Sequence, residues 1–236
     1  EESRALSDSI GHWLSQDGWQ LNASHPRRWY LCGANAQQLA TQPLSLVRGK
    51  SVGGVLPQGQ DASQWLARCN EIQMLMTSHP VNQQRAARGL PQVNSLWIWG
   101  GGVLAERSAC RYSKVFANDV LVRGLCLHAA TPCEPEPQHA QALLQHLEKS
   151  ERALLVLDGC SAVAAYQDFP RWNEAVEGYE QQWFVPLLKA LLTGRLQSLE
   201  LLPLNGYRYR MVFHQAWHLW KRSRSYQDIL ACENTA

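Results

Sequence analysis

The chain has 236 residues, of which 45% are hydrophobic and 18% are charged. This composition is typical of a globular protein and excludes wholesale disorder, collagen and coiled coil. The longest apolar runs are far shorter than the roughly 20 residues of a membrane span, so we expect no membrane association. The 22 basic and 20 acidic residues give a net charge of +2, a balance that does not favour nucleic acid as a partner.

Seven cysteines are present, at positions 32, 69, 110, 126, 133, 160 and 232. Their number is odd, and no two have the Cys-x-x-Cys spacing that is typical of zinc ribbons. We therefore expect reduced, mostly buried thiols in a cytoplasmic protein, without a disulfide framework. The start at Glu1 has no signal-peptide pattern, and a first residue other than Met suggests that residues precede it.

The first hundred residues predict three helices and two strands. The helices are expected over residues 4–16, from Asp61 to His79 and over Asn82–Arg88, and the strands at Arg28–Cys32 and Ser95–Trp99. The glycines and prolines of segment 33–60 are typical of a loop. A capping box of Asp61 and Gln64 is expected to begin the second helix. The strand at Ser95–Trp99 is expected to be buried and to lead into three consecutive glycines.

Strands and helices alternate through the second half of the chain. We predict strands at Lys114–Ala117, Ala153–Leu157, Leu199–Leu202 and Tyr207–Phe213, and helices over Asp119–Ala129, Gln138–Lys149, Arg171–Leu192 and His214–Lys221. Pro186 should kink the long helix, 131–137 is a proline-broken linker, and Asn205-Gly206 marks a hairpin turn. The alternation predicts an α/β sheet with helices on both faces. We expect one composite domain, made of an N-terminal portion 1–130 and a C-terminal portion 131–236.

The densest group of chemistry-bearing residues lies between positions 70 and 102. His79, Asn82 and Arg85 are three residues apart and can share one side of a helical turn. Arginine and asparagine suit a phosphate or carboxylate ligand, and a further amide and accessible backbone donors follow in the chain. These additional candidates are Asn94, Gly100, Gly101 and Gly102. The alternative interpretation is that His79 and Asn82 cap helix ends and that Arg85 is solvated.

Other candidate sites have weaker patterns. Asp158 follows the strand at Ala153–Leu157, where α/β proteins often place ligand-binding residues, but the favoured interpretation is an ordinary Asp-Gly turn. His214 and His218 are four residues apart on a predicted helix, yet the His-Glu-x-x-His arrangement is absent. We therefore predict no metal site and no catalytic residue.

Segment 203–227 combines basic and aromatic residues. Its basic residues are Arg208, Arg210, Lys221, Arg222 and Arg224, and the segment also contains six aromatic residues. Such a segment can bind single-stranded nucleic acid through charge and stacking. An ordinary hairpin and helix with basic outer faces has the same pattern, and nucleic acid is not the favoured partner.

Several longer stretches of the chain have a distinctive sequence. They are Arg28–Leu31, Leu56–Gly59, Asn70–Leu75, His79–Asn82 and Asn94–Gly102, together with 154–158 and 183–195. In these stretches the chain resembles bacterial regulatory proteins of the RpfE type, some of which are labelled phosphoglycerate mutase. Members of that family carry a further N-terminal segment, which the resemblance implies is missing here.

A more distant resemblance concerns the pattern HPxNxxRxxxGxPxxN. It is matched by His79, Asn82, Arg85, Gly89, Pro91 and Asn94. The pattern is similar to a stretch of the archaeal type of cofactor-independent phosphoglycerate mutase. That resemblance implies an alkaline-phosphatase-like fold, and the enzyme works with two metal ions, a serine nucleophile and a set of Asp and His ligands.

The metal ligands of that enzyme do not carry over to this chain. Asp158 is not followed by a histidine, and the residues after the strand at Leu199–Leu202 are Pro203–Gly206 instead of an Asp-His pair. No counterpart of the serine nucleophile is visible. Two-metal phosphoryl chemistry needs those ligands. We therefore expect a protein without a cofactor that has lost the catalytic site of its relatives.

The sequence thus predicts an α/β, alkaline-phosphatase-like sheet flanked by helices, in a non-catalytic relative of phosphoglycerate mutase with a binding or regulatory role. In this hypothesis His79 and Arg85 hold a phosphorylated or anionic small molecule, Asn82 and Asn94 orient it, and the three glycines donate backbone hydrogen bonds. A protein partner is a further candidate. The alternatives are an active metal-dependent phosphomutase or phosphatase, and a nucleic-acid-binding regulator that uses 203–227.

Overall fold

The structure, a computed structural model, describes residues 1–33, 38–148, 151–166 and 168–216. The chain divides into two compact units, Glu1–Glu106 and Arg107–Ala236. The division predicted from the sequence was placed after residue 130, inside the second unit. Each unit has hydrophobic clusters of its own.

The first unit is mainly helical and has one small antiparallel sheet. Its elements are α1 (Glu2–Ser15), β1 (Gln20–His25), β2 (Arg28–Cys32), α2 (Leu44–Val47), a 3-10 turn (Val52–Gly54), α3 (Ala62–Thr77) and α4 (Pro80–Ala87). The three predicted helices and the strand at Arg28–Cys32 are confirmed. The pattern of β1 was missed, although β1 pairs with β2 and sets Leu21 opposite Leu31.

The core of the first unit joins α1 to α3. Leu6, Ile10 and Leu14 of α1 are buried, and they pack in one cluster with Ile72 and Met76 of α3. The spacing of four residues places these side chains on one face of each helix. The apolar periodicity that predicted the helices therefore also identified the faces that bury them.

Two predictions about the first unit are wrong. Asp61 precedes α3 without capping it, because its carboxylate accepts a hydrogen bond from the Gln38 N–H at 2.8 Å. The segment Ser95–Trp99 is irregular instead of a buried strand, and Trp99 is 44% exposed. Trp97 Nε1 donates to the Gln42 carbonyl at 2.9 Å. This bond comes from a side chain, whereas a strand would pair through its backbone N–H and C=O groups.

The second unit alternates helices and short strands. Its elements are β3 (Lys114–Phe116), α5 (Val120–Ala129), β4 (Cys133–Glu134), α6 (Ala140–His146), β5 (Ala153–Leu155), α7 (Gly159–Ala165), α8 (Phe169–Tyr179), a π-helical segment (Glu180–Phe184), α9 (Val185–Leu192), β6 (Ser198–Leu201), β7 (Tyr209–Val212) and α10 (Phe213–Ala216). The predicted α/β alternation is confirmed.

A three-stranded parallel sheet with the order β4-β3-β5 lies at the centre of this unit. The strand β4 lies inside segment 131–137, which was predicted to be a linker because of its prolines. Successive residues of β3 point to opposite faces of the sheet and enter different clusters. Val115 packs with Cys126 of α5, whereas Phe116 packs with Leu143 of α6 and with Trp183. Helices therefore cover both faces of the sheet, as predicted.

The predicted long helix is continuous but changes its winding before Pro186. The Val185 N–H donates to the carbonyl of Glu180, five residues earlier, in a π-helical turn. Proline has no N–H and its ring clashes with the preceding turn, so a wider turn at this point accommodates Pro186. Gly194 ends the helix with a φ of +74°, as its position predicted.

The predicted hairpin is confirmed as an antiparallel pair with Leu199 opposite Met211. Its connection spans residues 202–208 and is longer than the expected two-residue turn. Within it, the Asn205 side chain accepts a hydrogen bond from the Tyr207 N–H at 3.1 Å, and Gly206 has a φ of +93°. The described part of the last predicted helix is α10; residues 217–221 lie outside the described residues.

The six cysteines in the described part of the chain are free. Only Cys126 among them is buried, and Cys32 and Cys110 are exposed, so the expectation of mostly buried thiols is wrong there. Cys232 lies outside the described residues. Every helix of the described residues is too short or too polar to cross a bilayer.

Candidate functional site

His79 lies at the turn between α3 and α4 and uses both ring nitrogens within the unit. Its Nδ1 accepts a hydrogen bond from the Val81 N–H at 3.1 Å, which makes it the N-cap of α4. The proton of the neutral ring is then on Nε2, which lies 3.1 Å from Ser9 Oγ of α1. The alternative interpretation of His79 as a helix cap is therefore confirmed.

Asn82 is the buried polar residue of α4, with no exposed surface. Its Nδ2 donates to the carbonyl oxygens of Met76 and Val93, both at 2.7 Å, and its Oδ1 accepts from the Val93 N–H at 2.8 Å. The Met76 carbonyl lies in the last turn of α3, so Asn82 contacts a helix end, as the alternative interpretation expected. Through Val93 it also ties the segment after α4 to that end.

Arg85 is half-buried and ion-paired, whereas the alternative interpretation expected it to be solvated. Its Nε donates to the Pro91 carbonyl at 2.7 Å, and its Nη1 contacts the carboxylate of Glu2. Arg88 contacts the other oxygen of the same carboxylate at 3.4 Å. Glu2 therefore lies where two arginines converge, which is the arrangement that would hold an anionic ligand.

Asn94 and the three predicted glycine donors, Gly100, Gly101 and Gly102, are exposed. Asn94 follows Val93 and so lies next to the Asn82 contact. The Gly100 N–H already donates to Thr41 Oγ1 at 3.1 Å, which fixes this part of the segment beside the loop after β2 and occupies one of the donors that the sequence offered to a ligand.

Gly101 and Gly102 differ from Gly100 in their surroundings. In the described part of the chain, the N–H groups of Gly101 and Gly102 make no hydrogen bond comparable to the one from Gly100 to Thr41. An added Cβ at any of the three glycines would meet nothing within 4 Å. The backbone of Gly101 and Gly102 is therefore open to a ligand, and their predicted role as donors stays a prediction.

The carboxyl edge of the parallel sheet gathers a second group of polar side chains. Asn118 follows β3, Glu136 follows β4 and Asp158 follows β5. Asn118 Oδ1 accepts from the Glu136 N–H at 3.2 Å, and Asn118 Nδ2 lies 3.4 Å from Glu136 Oε2. The Gly159 N–H donates to Tyr179 Oη at 2.6 Å. Parallel α/β sheets bind ligands at this edge.

The surroundings at this edge favour the neutral forms of Glu136 and Tyr179. Burial raises the pKa of the Glu136 carboxyl, and the negative charge of Asp158 raises it further. Burial also raises the pKa of the Tyr179 hydroxyl, although the hydrogen bond from Gly159 opposes that change. The sequence had singled out Asp158 alone, since the prolines of 131–137 hid the strand that brings Glu136 to the same edge.

The metal ions of the resembling enzymes require several Asp and His ligands in one place. Within the described ranges, no group of three or more His, Cys, Asp or Glu is placed to hold a metal ion. The residues of this edge therefore do not fit a two-metal centre. Of the weak zinc candidates His214 and His218, the second lies outside the described residues.

The basic segment 203–227 is described only up to residue 216. Arg208 and Arg210 lie in it, and Arg210 Nε is 3.6 Å from the carboxylate of Glu200 across the hairpin. Lys221, Arg222 and Arg224 lie outside the described residues. The nucleic-acid alternative therefore stays a prediction.

The chain has curated relatives, although no protein-family model matches it. A 2,3-bisphosphoglycerate-independent phosphoglycerate mutase of Methanosarcina barkeri is 24% identical over 213 residues, which cover 82% of this chain and 53% of the relative. A probable enzyme of the same name from Geobacter sulfurreducens is 28% identical over 131 residues, which cover 52% of this chain and 33% of the relative. The chain thus spans about half or less of the length of these relatives.

A solved structure gives a weaker match. The cofactor-independent phosphoglycerate mutase from Thermoplasma acidophilum superposes with a TM-score of 0.37 at 16% identity, over 74% of this chain and 53% of that chain. The sequence matches establish distant homology to the cofactor-independent phosphoglycerate mutases, at low identity and over part of their length.

Proposed function

We propose that this chain is a non-catalytic relative of the cofactor-independent phosphoglycerate mutases, with a binding or regulatory role. The observation that carries the proposal concerns the side chains that could bind a metal ion. A chain with distant homology to these enzymes brings together, in its described part, no three metal-binding side chains. Without such ligands, the described residues offer no place for the two ions that would stabilise a transferring phosphoryl group.

The same proposal includes a narrower family, a fold and a cellular location. They are kinship with the bacterial RpfE-type regulatory proteins, an alkaline-phosphatase-like fold and a cytoplasmic location. The RpfE-type resemblance rests on the stretches that surround His79 and Trp97. The central parallel sheet with helices on both faces supports an α/β fold of that kind.

The ligand of the proposed binding role is a phosphorylated or otherwise anionic small molecule. Arg85 supplies the charge, with Arg88 beside it. His79 and Asn82 position the helix that carries Arg85, since His79 caps the start of α4 and Asn82 ties its first turn to Val93. The exposed amide of Asn94 and the exposed backbone of Gly101 and Gly102 are the further donors that this proposal assigns to the ligand.

The test of catalysis uses the full-length gene product, purified with manganese and zinc present. Elemental analysis is expected to find far fewer than one bound metal ion per chain. Phosphoglycerate mutase and phosphatase assays are expected to give rates equal to those of a buffer control. About two metal ions per chain together with mutase activity would contradict the proposal and would favour the active-enzyme alternative.

The test of binding uses calorimetric titration with 3-phosphoglycerate and inorganic phosphate. Arg85→Ala is expected to weaken binding at least about tenfold, the loss of a charge-assisted hydrogen bond. Arg27→Ala removes an exposed arginine of the same unit and is expected to leave the affinity unchanged. Equal affinities for Arg85→Ala and wild type would reject this segment as the anion site.

A further inference from the structure

Two cysteine thiols of the second unit are neighbours where α5 passes into β4. Cys126 is buried near the end of α5, and Cys133 is the half-buried first residue of β4. The Cys133 thiol is close enough to raise the pKa of the Cys126 thiol. Cys133 also packs against the cluster that contains Val115, Ala117 and Cys126. The pair is therefore part of the packed interface between α5 and the sheet.

The backbone between the two cysteines makes a compact reversal. Ala130 has a left-handed φ of 49°, and the Thr131 N–H donates to the Cys126 carbonyl at 2.9 Å. This is the pattern of a Schellman cap. The Pro132 carbonyl accepts a hydrogen bond from the Val115 N–H at 2.9 Å, which fixes the neighbouring Cys133 beside β3. The hydrogen bonds of the turn therefore fix both cysteines at one packed cluster.

The two thiols differ in their surroundings. Burial raises the pKa of the Cys126 thiol to about 11, and the neighbouring thiols of Cys133 and Cys110 contribute to the rise. At neutral pH the Cys126 thiol is protonated and can donate its S–H to the Cys133 sulfur. Cys133 is the more accessible of the two, so an oxidant from solution reaches it first.

We propose that Cys126 and Cys133 form an intramolecular disulfide when the protein encounters hydrogen peroxide. The Cys133 sulfur attacks one peroxide oxygen, so that an S–O bond forms, the O–O bond breaks, and the released hydroxide takes the thiol proton and becomes water. The Cys126 sulfur then attacks the Cys133 sulfur. An S–S bond forms, the S–O bond breaks, and the hydroxide leaves with the Cys126 proton as a second water. Two thiols lose two electrons, and one peroxide is reduced to two waters.

The disulfide would tie the end of α5 covalently to β4. Glu136 follows Cys133 by three residues, at the carboxyl edge of the parallel sheet. The cross-link therefore restrains the segment that carries Glu136 and its contact with Asn118. The inference is independent of the proposed anion site, because that site lies in the first unit.

The sequence allows a direct test by mass spectrometry. Cleavage by trypsin after Arg123 and Lys149 leaves both cysteines in one peptide, without any other cysteine. The full chain is treated with hydrogen peroxide, alkylated under denaturing conditions and digested without reductant. We expect the peptide to resist alkylation and to be lighter than its reduced form by the mass of two hydrogen atoms. Dithiothreitol should restore two alkylation sites.

Three variants make the assignment specific. Cys133→Ser should abolish the light peptide. Cys69→Ser changes a half-buried thiol of the first unit, and Cys110→Ser changes the other thiol near Cys126; both variants should keep the light peptide.

Three results on the wild-type chain would overturn the proposal. They are a peptide that keeps two alkylatable thiols, a peptide that gains oxygen atoms instead of losing hydrogen, and a cross-link to Cys110. Since each of these is measured on the wild-type chain, a variant that fails to fold does not weaken the test.

Discussion

The side-chain amide of Asn82 pairs with the backbone of Val93 as a strand residue would. Its Oδ1 accepts from the Val93 N–H at 2.8 Å and its Nδ2 donates to the Val93 carbonyl at 2.7 Å. The same Nδ2 also donates to the Met76 carbonyl. One buried side chain thus contacts three backbone groups, and it is the partner of both the N–H and the carbonyl of Val93.

Asn82→Ala is expected to destabilise the first unit by about 2–4 kcal/mol, because it leaves the N–H and the carbonyl of Val93 without this partner. The free energy of unfolding is measured by urea titration with tryptophan fluorescence. Gln84→Ala, on the exposed side of the same helix, is the control and should change stability by less than about 0.5 kcal/mol. A loss below about 1 kcal/mol for Asn82→Ala would contradict the structural role given to this amide.

His79→Ala should lower the free energy of unfolding by about 1 kcal/mol, since it removes the N-cap of α4. His79→Asn should recover most of this loss, because asparagine is a good N-cap residue. Thermal unfolding of both variants checks the prediction. If the asparagine variant is as unstable as the alanine variant, then the contact between His79 and Ser9 matters more than the cap.

Glu2→Gln should strengthen the binding of inorganic phosphate by about three- to tenfold, because it frees Arg85 and Arg88 from the carboxylate that joins them. Calorimetric titration measures the affinity. Glu1→Gln changes an exposed neighbouring carboxylate and should have no effect. Binding that is unchanged or weaker in Glu2→Gln would count against an anion site at Arg85.

Gly159→Ala should destabilise the second unit by about 1–3 kcal/mol, the range for an overpacked site. The added Cβ would lie 2.7 Å from Tyr179 Oη, which also accepts the Gly159 N–H. In a Tyr179→Phe background the hydroxyl is absent, and the same substitution should cost less than about 1 kcal/mol. A double-mutant cycle on unfolding free energies measures this coupling, and equal costs in both backgrounds would disprove the contact.

Glu136→Gln should stabilise the protein at pH 7. The folded-state pKa of Glu136 is raised, so the folded state favours the protonated carboxyl, and stability falls as pH rises from the ordinary glutamate pKa through the raised value. The amide removes this loss. Because the side chain is partly exposed, the gain should stay below about 1 kcal/mol and should vanish near pH 4, where wild-type Glu136 is protonated.

The control for this pH dependence is Glu134→Gln. Glu134 ends β4, two residues before Glu136, and its carboxylate lies 2.8 Å from Lys114 Nζ, so the loss of this ion pair should lower stability at pH 7. Denaturant titrations at pH 4 and pH 7 compare the two variants. A Glu136→Gln gain that is the same at both pH values would show that the effect is not one of charge.

The local elements of this protein follow from its sequence. The spacing of Leu6, Ile10 and Leu14 predicts both α1 and its buried face, and Asp119 caps α5 through the Val122 N–H as its position suggests. These features depend on residues three or four positions apart. Helix geometry brings residues at that spacing to the same face, and a capping side chain reaches a backbone N–H two or three residues on. The local sequence pattern therefore determines the helix, its buried face and its start.

The roles of the polar candidates were decided by the tertiary structure. Arg85 meets Glu2 across 83 positions of the chain, and Asn82 meets Val93 across 11. Similarly, β4 forms from two residues in a proline-rich segment because β3 lies beside them and supplies hydrogen-bond partners. The partner of a buried polar group is chosen by which distant segments pack together, and local spacing carries no information about that choice.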